Sequence, residues 1–244
     1  MMSAIKEERN AQALPLTWIY LSWVGLLPAV IVIGITGAIA QGDPEPFIEN
    51  VLGFGDIGIF SLGLYGLGLC LAIFLLRHHL KTHMIGWDRI GLTGKITPVA
   101  LIYILGALAL DSFFLFPGAQ WLSAQTGIPL FWGGNDTFNF ASVLDIAVAL
   151  IATVLIASVA EEIIFRGYLL NAYLEKGYKK VTAITLSALV FASVHIPFGP
   201  GFILYIIVWA LIPTYLSLKF KSLYPAILFH ALNNAVAYLI LPLL

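Results

Sequence analysis

From Ser158 to Gly167 the chain reads SVAEEIIFRG, with two adjacent glutamates and an arginine inside an otherwise apolar stretch. Ionisable groups in such a stretch are expensive, and they usually face a cavity or one another. On a helix Glu162 and Arg166 are four residues apart and share a face, so they can pair. Glu161 is rotated from Glu162 by about 100°, given 3.6 residues per turn. One carboxylate can therefore be neutralised by the arginine while the other points elsewhere, so the two adjacent acids need not do the same job.

Two later stretches carry further polar groups. FASVH places Phe191 and His195 four apart, and HALNN places His230 and Asn234 four apart. Depth along each helix follows from the nearest lysine at about 1.5 Å per residue. Glu161 lies about 22 Å from Lys176, and His195 about 22 Å from Lys180. Asn234 lies about 20 Å from Lys221, and His230 about 14 Å. Three helices thus bring Glu161, His195, His230 and Asn234 to comparable depths. Helix rotation is not fixed by this reasoning.

The elements that must hold these residues are membrane spans. The chain has 244 residues, 60% hydrophobic and 10% charged, with a mean hydropathy of +0.96. Soluble domains carry about 25% charged residues. A helix needs roughly 20 apolar residues to cross a bilayer. The expected fold is therefore all-α and polytopic, with seven spans at 15–40, 57–76, 96–116, 143–174, 181–196, 202–218 and 223–243. The fourth is too long for one crossing and should extend beyond the bilayer. The fifth is short and ends at Pro197 and the turn Gly199-Pro200-Gly201.

Charge sets the orientation. Lys6, Arg9, Arg77, Lys81, Arg89, Lys95, Lys176, Lys179, Lys180, Lys219 and Lys221 fall in alternate connections, whereas 41–56 and 117–142 contain no Lys or Arg. This places the N-terminus in the cytoplasm and the C-terminus outside. Arg166 is the one basic residue outside those cytoplasmic stretches. The net charge of −1 gives no reason to expect a nucleic-acid partner, and a single cysteine, Cys70, allows no intrachain disulfide. Ala38-Ile39-Ala40 looks like a signal-peptidase site, but the apolar run before it exceeds the usual 7–15 residues, so cleavage is not expected.

Glu-Glu-x-x-x-Arg, Phe-x-x-x-His and His-x-x-x-Asn, in this order on successive apolar helices, resemble the three motifs of the CPBP (Abi) family, which includes type II CAAX prenyl endopeptidases and bacteriocin-processing proteins. The resemblance runs from about Ser142 to Tyr238 and matches at every motif position. It divides the chain into N-terminal helices and an interfacial loop, 1–141, and a catalytic helical core, 142–244, with a buried cavity. It implies an intramembrane endopeptidase acting on a membrane-associated peptide or protein, which in the CAAX case is prenylated. By analogy Glu161 and His195 activate water, His230 and Asn234 stabilise the oxyanion, and Glu162 with Arg166 supports the helix.

The resemblance is compatible with two catalytic classes. Glu161, His195 and His230 could ligate zinc with one position open. The soluble zinc-protease signature His-Glu-x-x-His is absent, and a metal-free glutamate site is preferred. Each polar group also has a structural reading: a buried Glu–Arg pair can serve the fold alone, and histidines often bond between helices. A non-catalytic scaffold or immunity protein and a proton-coupled transporter are the competing functions, although no internal repeat of the transporter type is present.

Lesser expectations complete the reading. His78, His79 and His83 should be solvated in a cytoplasmic loop, and Asp111 and Asp145 should face interfacial water. Loop 117–142, with Trp121, Phe131, Trp132, Phe138 and Phe140, should lie at the membrane interface. Gly58, Gly63, Gly66 and Gly68 should permit close helix packing. Tyr168 should pack rather than line the site.

Overall fold

The structure is a computed structural model that describes residues 56–131 and 143–240. The expected first span, the Ala38-Ile39-Ala40 segment, and Trp132, Phe138 and Phe140 lie outside the described residues. The described residues are helical, without strands. We number the helices α1 (Asp56–Thr82), α2 (Pro98–Thr126), α3 (Val143–Glu175), α4 (Lys180–Ser193), α5 (Pro200–Phe220) and α6 (Tyr224–Ala235, continued by Val236–Ile240). Four segments are long and apolar enough to cross a membrane: Leu62–Thr82, Pro98–Thr126, Val143–Glu175 and Pro200–Phe220. α4 is a shorter apolar helix.

Local chemistry sets the helix ends. α2 starts where Thr97 accepts a hydrogen bond from Ala100 N at 3.1 Å and Pro98 occupies the first turn, which has no need of its missing N–H. It then runs on to Thr126 and stops at Gly127, whose φ of +70° suits glycine. The first part of the expected 117–142 loop is therefore helix. Its exposed Trp121 is compatible with an interfacial location, and the helix continues through Pro117 and Gly118, after a wide turn at Asp111–Leu115, as far as Thr126. α5 is interrupted at Ala210. Pro213 has no N–H to offer the Trp209 carbonyl four residues back, while the Ala210 carbonyl takes the Thr214 amide at 3.4 Å and the Thr214 hydroxyl at 2.8 Å.

α3 is the central element. α1 and α6 pack along its first part, and α4 packs against its later turns. α6 also lies against α2 and α5. α1 approaches α3 closely at Gly66, where an added Cβ would come within 3.2 Å of Ala152 Cβ. At 33 residues α3 is about 50 Å long. That exceeds the ~30 Å hydrocarbon core, as its sequence length implied. Its later end is tied to the loop after α1 by a two-pronged Arg89–Glu175 ion pair, with nitrogen–oxygen distances of 2.9 and 2.7 Å.

Two polar side chains sit deeper than their sequence positions suggested. His79 is buried, and its Nε2 lies 3.3 Å from the Tyr168 hydroxyl. It is not solvated, because Tyr168 of α3 covers it. Asp111 is 3% exposed and accepts hydrogen bonds from the Tyr205 hydroxyl at 3.0 Å and from Asn233 Nδ2 at 2.6 Å. It faces α5 and α6 rather than interfacial water, since partners on both helices replace hydration.

Gly167 follows the arginine of the first motif. A Cβ there would meet Ile90 O and Leu223 Cδ1, each at 2.9 Å. These atoms belong to two turns joined by a bond from Leu223 N to Gly91 O at 2.8 Å. We expect Gly167→Ala to destabilise the protein by about 1–3 kcal/mol through overpacking. Thermal unfolding of the purified variant checks this, and an unchanged midpoint would refute the assigned tightness.

Candidate active site

Glu161 closes a single α-helical turn, Ser158–Glu161, between two π-helical segments, Leu150–Ala157 and Glu162–Leu169. Such wide turns recur at functional sites. Here they disturb the regular backbone ladder of α3, and the Thr153 carbonyl takes side-chain donors: Ser158 Oγ at 3.2 Å and Asn234 Nδ2 at 2.9 Å. Asn234 of α6 thus spends one amide hydrogen on α3. Its second amide hydrogen remains for another acceptor.

The adjacent glutamates have different surroundings. Glu162 Oε1 takes Arg166 Nη1 at 3.0 Å and His230 Nδ1 at 2.8 Å. Arg166 reaches further, to Thr214 Oγ1 at 3.3 Å and to the Ala210 carbonyl at 3.1 Å. Its guanidinium carbon lies 4.3 Å from the centre of the Phe191 ring. Glu162 and Arg166 are both fully buried. Glu161 instead receives a hydrogen bond on Oε1 from the hydroxyl of Tyr65 on α1. Its Oε2 lies 3.9 Å from His230 Nε2, beyond direct hydrogen-bond reach.

His230 therefore stands between the two carboxylates. A carboxylate only accepts, so Nδ1 carries a proton toward Glu162 and the neutral ring presents a lone pair at Nε2. Nε2 becomes a donor only when the ring is doubly protonated. The ring packs edge-on to Trp209, with centroids 4.9 Å apart.

His195 is placed by the end of α4. The helix stops at Ser193, which leaves the Phe191 carbonyl without its usual amide partner. His195 Nδ1 takes that carbonyl at 2.9 Å. The carbonyl can only accept, so Nδ1 holds the proton and Nε2 is the acceptor of the neutral ring. The spacing Phe-x-x-x-His thus has a local cause: the histidine caps the helix through the phenylalanine's own carbonyl. The Phe191 ring lies 4.7 Å from His195 and 6.4 Å from His230, and it stacks on Trp209 at 5.8 Å.

The structure brings Glu161, Glu162, Arg166 and His230 into direct proximity, with His195 joined through Phe191 and Asn234 bonded to α3 one turn beyond His230. Among the described residues no three His, Cys, Asp or Glu side chains form a group that could hold a metal ion. Sequence reasoning missed Tyr65, Thr214 and the Ala210 carbonyl. The signal for Tyr65 was a phenol hydroxyl in an apolar span, and no sequence signal pointed to the Ala210 carbonyl.

Residues 143–236 match the family model described as type II CAAX prenyl endopeptidase, Rce1-like. The match takes in α3 to α5 and most of α6, and leaves α1 and α2 outside it. No curated protein and no solved structure matches the chain.

Proposed function

We propose that this chain is an intramembrane endopeptidase in which Glu161 is the general base, a reading supported by the match of residues 143–236 to the family model of Rce1-like type II CAAX prenyl endopeptidases. The substrate is a membrane-tethered peptide or protein whose scissile bond reaches the level of Glu161, with a prenylated C-terminal peptide as the substrate class the family suggests. Charge asymmetry supports a cytoplasmic N-terminus.

One observation carries this reading. Of the two adjacent carboxylates, Glu162 is neutralised by Arg166 and His230, whereas Glu161 keeps Oε2 without a direct bond to His230. A water beside Oε2 loses a proton to Glu161, and its oxygen bonds to the scissile carbonyl carbon. His195 Nε2 accepts from the same water and orients it. The carbonyl becomes an oxyanion, which the second amide hydrogen of Asn234 and a doubly protonated His230 can stabilise. Collapse of the intermediate breaks the C–N bond, and the proton on Glu161 passes to the leaving amine. This route involves no metal.

The test uses purified protein in lipid vesicles with membrane-anchored peptides, farnesylated and acylated. Asn234→Ala should lower kcat by about 10²–10³-fold with little change in KM, as loss of one oxyanion donor does elsewhere. Exhaustive chelation should leave wild-type turnover intact. Near-normal kcat in folded Asn234→Ala would confine Asn234 to its Thr153 bond.

A further inference from the structure

We propose that Tyr65, on a helix outside the family-matched segment, is the positioning residue for the Glu161 base. The inference rests on the reading of Glu161 as that base. The Tyr65 hydroxyl donates to Glu161 Oε1 across 96 positions of sequence. An ionised carboxylate has two acceptor oxygens and no donor. Holding one oxygen fixes the carboxylate plane, and the other then points to the His230 side, where Oε2 lies.

Glu162, His195 and His230 do not supply this restraint. Glu162 is committed to Arg166 and His230. His195 is turned to the Phe191 carbonyl through Nδ1. His230 Nε2 is 3.9 Å away. Tyr65 therefore provides a direct hydrogen bond from α1 to Glu161.

The backbone of α1 is built for this reach. Gly66, next to Tyr65, lies against Ala152, and an added Cβ would come within 3.2 Å of Ala152 Cβ. One turn earlier, a Cβ added at Gly63 would lie 3.8 Å from Val148 Cγ1. Small residues bring α1 close enough to α3 for a phenol to reach a carboxylate on its neighbour.

During the reaction Glu161 takes the water's proton on Oε2 while Tyr65 stays on Oε1. Without the hydroxyl the carboxylate can rotate, and a reacting group misplaced by about 1 Å can cost on the order of 10²-fold. A ring that merely packs would be replaced by phenylalanine without kinetic effect.

The experiment compares wild type, Tyr65→Phe, Glu161→Gln and the double variant as full chains in vesicles with an anchored reporter peptide. We expect Tyr65→Phe to lower kcat by about 10–100-fold, with KM within about twofold and the thermal midpoint unchanged. In the Glu161→Gln background Tyr65→Phe should add no further loss. Gly66→Ala, which pushes α1 from α3, should lower kcat in the same direction and add little to Tyr65→Phe. Wild-type kcat in Tyr65→Phe, or a change in KM alone, with Glu161→Gln inactive, would overturn the role of Tyr65 and leave the base assignment standing. Wild-type cleavage by Glu161→Gln would instead remove the base itself.

Discussion

Glu161→Gln should lose about 10²–10⁴-fold in turnover, the range that general-base catalysis supplies, and should remain folded. Glutamine keeps the volume, and its amide oxygen can still accept from Tyr65, so the packing between α1 and α3 survives. What disappears is an oxygen able to take a proton from water. Glu162→Gln provides the contrast. It removes the anion that faces both Arg166 and His230 at 3.0 and 2.8 Å, so it should lower stability as well as turnover. Cleavage of an anchored peptide, read beside a thermal melt of each variant, separates the two. Equal turnover in wild type and Glu161→Gln at matched folding would end the assignment. Identical behaviour of the two glutamine variants in both assays would deny the division of labour between the neighbours.

Arg166→Met should be the most destabilising substitution in the core, by about 3–5 kcal/mol, the usual consequence of removing one partner of a buried ion pair. The guanidinium joins α3 to α5 through Thr214 Oγ1 and the Ala210 carbonyl, and it lies over Phe191. Methionine keeps much of the length but leaves Glu162 without its cation. Glu162 Oε2 has no hydrogen-bond partner among the described residues, so no second donor there compensates. Lysine should not rescue the protein, because one ammonium cannot reproduce the planar fork that meets a carboxylate, a hydroxyl and a carbonyl together. The double variant Glu162→Gln/Arg166→Met should recover part of the loss, since the unpaired charge is gone. Denaturation in mild detergent with added lipid measures the three proteins. A loss below about 1 kcal/mol in Arg166→Met would reduce the pair to a contact of the weakly coupled surface type.

How much of this was legible beforehand differs residue by residue. The Glu162–Arg166 pair was, because four-residue spacing is a property of the helix alone and needs no knowledge of neighbours. The same holds for the separation of Glu161 from Glu162 and for the excess length of α3. Composition sufficed for the helical membrane architecture, since an apolar segment of that length must satisfy its backbone internally. The motifs at 161–166, 191–195 and 230–234 carried the family likeness by their order.

Contacts between helices were a different matter. A helix reads as the same sequence whichever way it is rotated, and rotation decides whether His230 meets one glutamate or stands between two. Asp111 and His79 looked solvent-facing by their positions near helix ends, yet Tyr205, Asn233 and Tyr168 from other helices cover them. Tyr65 could not be told from a packing aromatic until α1 was laid against α3. The sequence by itself determined which groups are available and which pair within a helix. Tertiary structure decided that His230 bonds to Glu162 and Tyr65 to Glu161, because those contacts come from side chains brought in from α6 and α1 at distances no local spacing encodes.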